Sequence, residues 1–150
     1  MPRKINGAIK RKESMPREIE DGKDEFADFW DTAMMHYSKM RDEKKYRTSW
    51  SIQEDHPIYR DEDSVKDSEG RSLRSGGDEL NKIFYIKTIL ENGKFRKEEY
   101  FTFIGGNTLK EVWAACEKIF HEAYPDDDDH VFIEALHRTS NSTYELILGS

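Results

Sequence analysis

Four consecutive aspartates, Asp126, Asp127, Asp128 and Asp129, followed by His130, are the densest group of potential metal ligands in the sequence. Hard cations such as Ca²⁺ need several oxygen ligands in a defined order, which an EF-hand loop supplies from alternate acidic positions, a central glycine and a terminal glutamate. The run has none of that spacing, so we expect no metal ion here. We interpret the acidic turn, Asp126–Asp129, either as solvated or as a contact surface for a basic partner. Because four negative charges after a helix oppose its dipole, a role beyond stability is indicated.

The other reactive side chains do not form a pattern that catalysis requires. Nucleophilic catalysis needs a serine or cysteine beside a base and an orienting acid, and the sequence has no Gly-x-Ser-x-Gly elbow. The single cysteine, Cys116, lies on the apolar side of a predicted helix, so we expect a buried, inert thiol and no disulfide. The five histidines lack the spacing of a zinc site. They are His36, His56, His121, His130 and His137. The sequence therefore predicts a protein that is not an enzyme and binds no cofactor.

Charge is unevenly distributed along the chain. The formal net charge is −7, but residues 1–17 contain six basic side chains and one acidic one, which leaves −12 for residues 18–150. The six residues of this basic arm are Arg3, Lys4, Lys10, Arg11, Lys12 and Arg17. They could neutralise phosphates in a salt-dependent way, although the arm has no aromatic residues between its charges and the acidic body would repel a polyanion. The arm is either a nucleic-acid-binding segment or a solvated, flexible end.

A β-hairpin is the clearest structural signal. Two runs rich in β-branched and aromatic residues, 83–90 and 95–104, flank Asn92-Gly93, the dipeptide typical of a two-residue turn. That turn fixes the register of the two strands. The expected cross-strand pairs are Glu91–Lys94, Leu90–Phe95, Lys87–Glu98, Tyr85–Tyr100 and Phe84–Phe101.

The two faces of this hairpin differ in composition. One carries Phe84, Ile86, Leu90, Phe95 and Phe101, and we expect a helix to pack there. The opposite face mixes tyrosines with charged residues, so we expect the N-terminal helix or a partner to cover it.

Two amphipathic helices should supply the rest of the core. The first begins near Asp24 and repeats apolar residues at steps of three and four as far as Met40. The second starts at the capping-box pattern Thr108-x-x-Glu111 and ends before Pro125. Its apolar residues are Leu109, Val112, Trp113, Cys116, Ile119, Phe120 and Ala123. A second hairpin should turn at residues 139–142.

The predicted fold class is α+β, with a four-stranded antiparallel sheet in ββαββ order, an additional N-terminal helix, and room for a fifth strand near residues 46–53. We expect a flexible basic tail over residues 1–23 and a single domain over residues 24–150, with a mobile polar loop at 54–77. No apolar run approaches the ~18 residues that cross a bilayer, and no apolar segment of a signal peptide follows the basic N-terminus. A soluble, cytoplasmic protein without membrane contact is therefore expected.

These observations predict a non-enzymatic interaction protein. Its acidic body would bind a protein with a basic surface and thereby inhibit or regulate a nucleic-acid-handling complex. One alternative is a nucleic-acid-binding module that uses the basic arm, and another is a structural or assembly protein that docks through that arm. The small, acidic, aromatic-rich chain resembles accessory proteins of phages and mobile elements in general style, although it shares no motif with them. The sequence leaves the oligomeric state open.

Overall fold

The computed structural model describes residues 25–51, 60–75, 78–126 and 129–149. Its elements are α1 (Glu25–Lys44), β1 (Thr48–Trp50), β2 (Asn81–Glu91), β3 (Lys94–Ile104), α2 (Leu109–Ala123), β4 (Val131–Ser140) and β5 (Thr143–Gly149). The class is α+β, as predicted. Neither of these two helices is long and apolar enough to span a membrane.

The five strands form one mixed sheet in the order β1-β4-β5-β2-β3. The prediction of a four-stranded antiparallel sheet is therefore wrong in detail. The hairpins β2–β3 and β4–β5 are antiparallel, but β5 lies parallel to β2, and the suggested fifth strand, β1, lies parallel to β4. The strand directions follow from the crossover. The chain leaves β3 at one end of the sheet, and α2 returns it to the end where β3 began, so β4 runs in the same direction as β3 and β5 in the same direction as β2. Side-chain alternation predicts which residues share a face but not which way a strand runs.

The first hairpin adopts the predicted register along its whole length. Glu91 faces Lys94 at the turn, and Tyr85 faces Tyr100 further along. Asn92 and Gly93 have φ angles of 54° and 75°, the left-handed conformation that a two-residue type I′ turn requires. Local turn chemistry therefore sets this register.

The second helix packs on the opposite face of the hairpin from the one predicted. Ile83 is fully buried, whereas Phe95 and Phe101, on the face expected to meet the helix, are 75% and 46% exposed. The hydroxyl of Tyr85 lies 2.7 Å from that of Tyr124, directly after α2. The tyrosine side of the hairpin is thus the buried one.

The end of α2 explains this choice of face. The last carbonyls of a helix have no partner within it, and the ammonium group of Lys87 donates to the Ala123 carbonyl at 2.6 Å. The same ammonium lies 4.4 Å from the centroid of the Tyr124 ring. Both contacts are made from the tyrosine face of the hairpin, which is the more polar of the two.

The core lies between the sheet and the two helices. All seven residues of the apolar stripe predicted for α2 are buried, including Cys116. The capping box is present, with the Glu111 amide donating to the Thr108 hydroxyl at 3.3 Å. From α1, Tyr37 is buried with its ring edge-on to Trp113, 6.0 Å between centroids.

The polar segment before β2 contributes to this core as well. Val65 and Leu73 are 0% and 1% exposed, and the Val65 amide donates to the Asn107 carbonyl at 2.9 Å. Two apolar side chains therefore anchor residues 60–75 of the predicted polar loop to the core. Mobility of the whole loop 54–77 stays a prediction. The tail, residues 1–23, lies outside the described residues.

Candidate interaction surface

One face of the sheet is not covered by any helix in the described part of the chain, because α1 and α2 both lie on the other face. We call it the open face. Its apolar side chains are Phe84, Ile86, Leu90, Phe95, Phe101, Phe103, Phe132 and Ile147. Leu90, Phe95 and Phe103 are 63%, 75% and 53% exposed. Since an aromatic side chain can bury roughly 150–250 Å², the face offers several hundred Å² of apolar surface, a size that in monomers often marks an interaction site.

Charges on the open face are few and of both signs. The Lys82 ammonium lies 3.1 Å from the Glu99 carboxylate and 4.7 Å from the centroid of the Phe101 ring. Lys97 and Glu145 lie on the same face by the register of their strands, and the Glu134 carboxylate lies over Gly149 there. The ion pair with Glu99 and the cation–π contact with Phe101 together position the Lys82 ammonium on this face.

The acidity of the chain lies outside the long strands. Strands β2 to β5 together carry six basic and five acidic side chains, although residues 18–150 as a whole carry −12. The excess of negative charge therefore lies outside these four strands. An apolar, nearly neutral face and an acidic remainder are separate surfaces of this molecule.

The structure describes the two outer residues of the acidic turn. Asp126 and Asp129 are exposed, whereas Asp127 and Asp128 lie outside the described residues. The turn follows the end of α2 that contacts Lys87, in the half of the hairpin nearest its tip. The acidic turn and the hairpin tip therefore lie at the same end of the molecule.

A buried carboxylate joins β1 to α2. Glu117, 5% exposed, accepts hydrogen bonds from the Arg47 amide at 2.8 Å and from the Thr48 hydroxyl at 2.6 Å. The Thr48 hydroxyl in turn accepts from the Trp113 indole at 2.9 Å. His121 Nε2 lies 2.7 Å from Glu117, and its Nδ1 lies 3.1 Å from the Arg47 guanidinium. Because a guanidinium can only donate, Nδ1 accepts and Nε2–H donates, which leaves neither ring nitrogen free to act as a base.

The remaining groups that could do chemistry are dispersed. The Ser68 hydroxyl lies 3.2 Å from His137 Nδ1, and both side chains are exposed. No carboxylate orients the other nitrogen of that ring among the residues described. Within the same residues, no three histidine, cysteine or acidic side chains are placed to hold a metal ion. Burial raises the pKa of the Cys116 thiol far above its ordinary value, so this cysteine stays protonated at neutral pH.

The other predicted site residues cannot be located. Arg3, Lys4, Lys10, Arg11, Lys12 and Arg17 lie outside the described residues. Nucleic-acid binding and particle docking through the basic arm stay predictions. The sequence did group Phe84, Ile86, Leu90, Phe95 and Phe101 on one face, but the assignment of a helix to that face concealed the surface they form.

No protein-family model matches the chain, and no curated protein or solved structure is significantly similar to it.

Proposed function

We propose that this chain is a non-enzymatic interaction protein that binds another protein through the open face of its sheet. The acidic turn attracts the basic surface of that partner. The observation that supports the proposal is the exposure of Phe95, Phe101 and Phe103 on a sheet whose other face already buries the core. Exposed aromatic residues in the centre of a patch are enriched at protein interfaces, where charged residues are depleted.

A protein partner suits this face better than a nucleic acid. Aromatic platforms for single strands lie in grooves of positive potential that follow the phosphates. Here Glu99 neutralises Lys82 at 3.1 Å, and Glu145 adds a further negative charge beside Phe84. A phosphate backbone would find no net positive charge on this face, whereas an apolar protein surface would bury the phenylalanines.

The acidic turn has a different role, because exposed charges contribute more to the rate and specificity of association than to affinity. Four aspartates at the hairpin end would orient a basic partner before the apolar face makes contact. Association would then weaken as salt screens the charges over a Debye length of about 8 Å at physiological ionic strength.

The proposal is tested by copurification from the source organism with two matched double variants. Phe103→Ser with Ile147→Ser removes two exposed apolar side chains from the open face. Met34→Ser with Met35→Ser removes two from α1, where they are 40% and 74% exposed. We expect the first variant to lose the partner and the second to keep it. Equal capture by both would contradict the assignment of the open face.

The acidic turn is tested separately by changing its four aspartates to asparagine. Slower association at low salt, with a difference that vanishes at high salt, is the expected result. If the same partner binds with unchanged kinetics, the turn has no part in binding, and the apolar face has to act alone.

A further inference from the structure

The geometry points to a self-association edge: we infer that a second copy of this chain pairs with β3 in antiparallel fashion, about a two-fold axis at Glu98. This goes beyond the proposed function, because the second copy pairs with the backbone at the edge of the sheet, although Phe95 and Phe101 of the open face flank that edge.

Strand β3 is the long edge of the sheet, and no other strand among the described residues pairs with its outer side. It stands last in the strand order and spans 11 residues, paired with β2 at every position without a bulge. The opposite edge, β1, has only 3 residues. Proteins commonly protect edge strands with proline, bulges, very short strands or charged side chains, and of these β3 has only the charges. The charged residues at the centre of β3 therefore determine which strand can pair with it.

The backbone groups that β3 offers can be identified from the neighbouring strand. The Lys82 amide donates to the Ser142 carbonyl at 2.8 Å, so it points towards β5 and away from β3. Its cross-strand partner, Phe103, therefore belongs to a pair without mutual hydrogen bonds, and its own amide and carbonyl point outwards. Strict alternation along the ladder gives the same orientation at four further residues. They are Phe101, Glu99, Lys97 and Phe95.

These outward-facing residues form a pattern that is its own complement. With the axis at Glu98, Lys97 of one copy lies opposite Glu99 of the other, and Phe95 lies opposite Phe101. Each of these pairs occurs twice by symmetry, and all of them lie on the open face. Opposite charges and aromatic pairs across strands are stabilising, whereas like charges are not. A uniformly basic or acidic strand would meet a like charge at either Lys97 or Glu99, so a second copy fits this edge better.

The same pairing also brings together residues on the face of the sheet that carries the helices. Glu98 would lie opposite Glu98 of the second copy, which is a like-charge pair. Each carboxylate is already compensated on its own strand, because it accepts a hydrogen bond from the Tyr100 hydroxyl at 2.6 Å and pairs with Arg96. The product is a continuous sheet of ten strands with the open faces of the two copies side by side. A two-fold contact of this kind closes on itself and stops at a dimer.

Sedimentation of the full chain over a wide range of concentrations tests the inference. The wild type should dimerise as its concentration rises. Lys97→Glu and Glu99→Lys each convert both attractive pairs into repulsive ones, so each variant alone should bind itself at least about tenfold more weakly. Mixed in equal amounts, the two variants should form a heterodimer, because position 97 of one then complements position 99 of the other.

Two further variants fix the register and the fold. The double variant Lys97→Glu/Glu99→Lys restores both attractive pairs between copies but loses the Lys82–Glu99 pair within each copy. It should therefore dimerise more strongly than either single variant, which shows that neither substitution acts by unfolding the chain. Glu98→Gln removes the like-charge pair at the axis and should tighten the dimer severalfold. A wild type that stays monomeric, or a mixture of single variants that does not associate, would overturn the inference. Loss of the dimer in Phe103→Ser/Ile147→Ser would also overturn the inference, because it would indicate that two copies stack through their open faces. If this variant loses the partner but keeps the dimer, the result concerns the proposed function and not the edge pairing.

Discussion

At the residue scale, the polar side chain that does most to organise the core is Glu117. It satisfies the backbone amides of Arg47 and Thr48 at 2.8 and 3.1 Å, where the chain enters β1. A three-residue edge strand cannot hold itself in place by its ladder alone. The carboxylate on α2 therefore positions β1, and Thr48 passes the hydrogen bond on to Trp113.

Replacement of this carboxylate should be strongly destabilising. Glu117→Ala leaves buried amides and a buried hydroxyl without an acceptor, so we expect the free energy of unfolding to fall by about 3 kcal/mol or more. Glu122→Ala removes the same side chain from an exposed position of α2, where it pairs with Lys118 at 3.3 Å. This variant should change the free energy of unfolding by about 0.5 kcal/mol or less. Urea unfolding followed by tryptophan fluorescence measures both. Similar losses for the two variants would mean that Glu117 does not anchor β1.

A second residue-scale effect depends on pH. The Tyr100 hydroxyl, and after it Arg96, lower the pKa of Glu98 from its ordinary value. A carboxylate with a depressed folded-state pKa contributes stability that is complete above its unfolded pKa and is lost as the pH falls through the folded value. Glu98→Gln should therefore have a lower Tm than the wild type near neutral pH, and the difference should shrink as the pH falls below about 4. Calorimetry of dilute protein over that range would contradict this if the difference were independent of pH.

At the element scale, the hairpin shows what the sequence could predict. Asn92-Gly93 sets the turn, the turn sets the register, and every predicted pair is present. Alternation also predicted the two faces correctly, since it depends only on the pleat. The face that meets α2 was predicted wrongly, because the choice depends on the carbonyl of Ala123 and the ammonium of Lys87, which come together only in three dimensions. The strand directions were also not predicted, because they depend on how α2 crosses the sheet and not on any local pattern.

The turn can be tested with two glycines that differ in backbone conformation. Gly93 has φ +75° with no atom near an added Cβ, so Gly93→Ala introduces backbone strain alone, about 1–2 kcal/mol. At Gly105, which lacks a positive φ, the nearest atom would be 3.9 Å away, and Gly105→Ala should change stability by about 0.5 kcal/mol or less. Chemical denaturation of the two variants gives the comparison. An unaffected Gly93→Ala would argue against the type I′ turn.

The two faces of the sheet should respond oppositely to truncation. Ile83, fully buried under the helices, should lose about 2–5 kcal/mol of stability when changed to alanine. Phe103→Ala removes a larger side chain from the open face, yet the loss should be about 1 kcal/mol or less because the residue is already half exposed. The midpoints of urea unfolding of the two variants measure both losses of stability. If Phe103→Ala proved the more damaging substitution, the open face would be covered in the folded protein.

At the scale of the whole molecule, the chain separates three surfaces. The acidity lies outside strands β2 to β5, the open face carries the exposed phenylalanines, and the β3 edge carries charges of both signs. The sequence predicted the acidity from composition alone. The open face and the edge depend on the strand order, which no local pattern contains. A second copy at the β3 edge would leave Phe132 and Ile147, on β4 and β5 of the open face, for a partner.

The central claim is that the open face is where the partner binds, and photo-cross-linking in the source organism tests it most directly. Benzoylphenylalanine is placed at position 103 on the open face or at position 35 on the outer side of α1, where Met35 is 74% exposed. We expect an adduct with a distinct protein from position 103 and none from position 35. An adduct formed only from position 35, or from neither position, would contradict the claim.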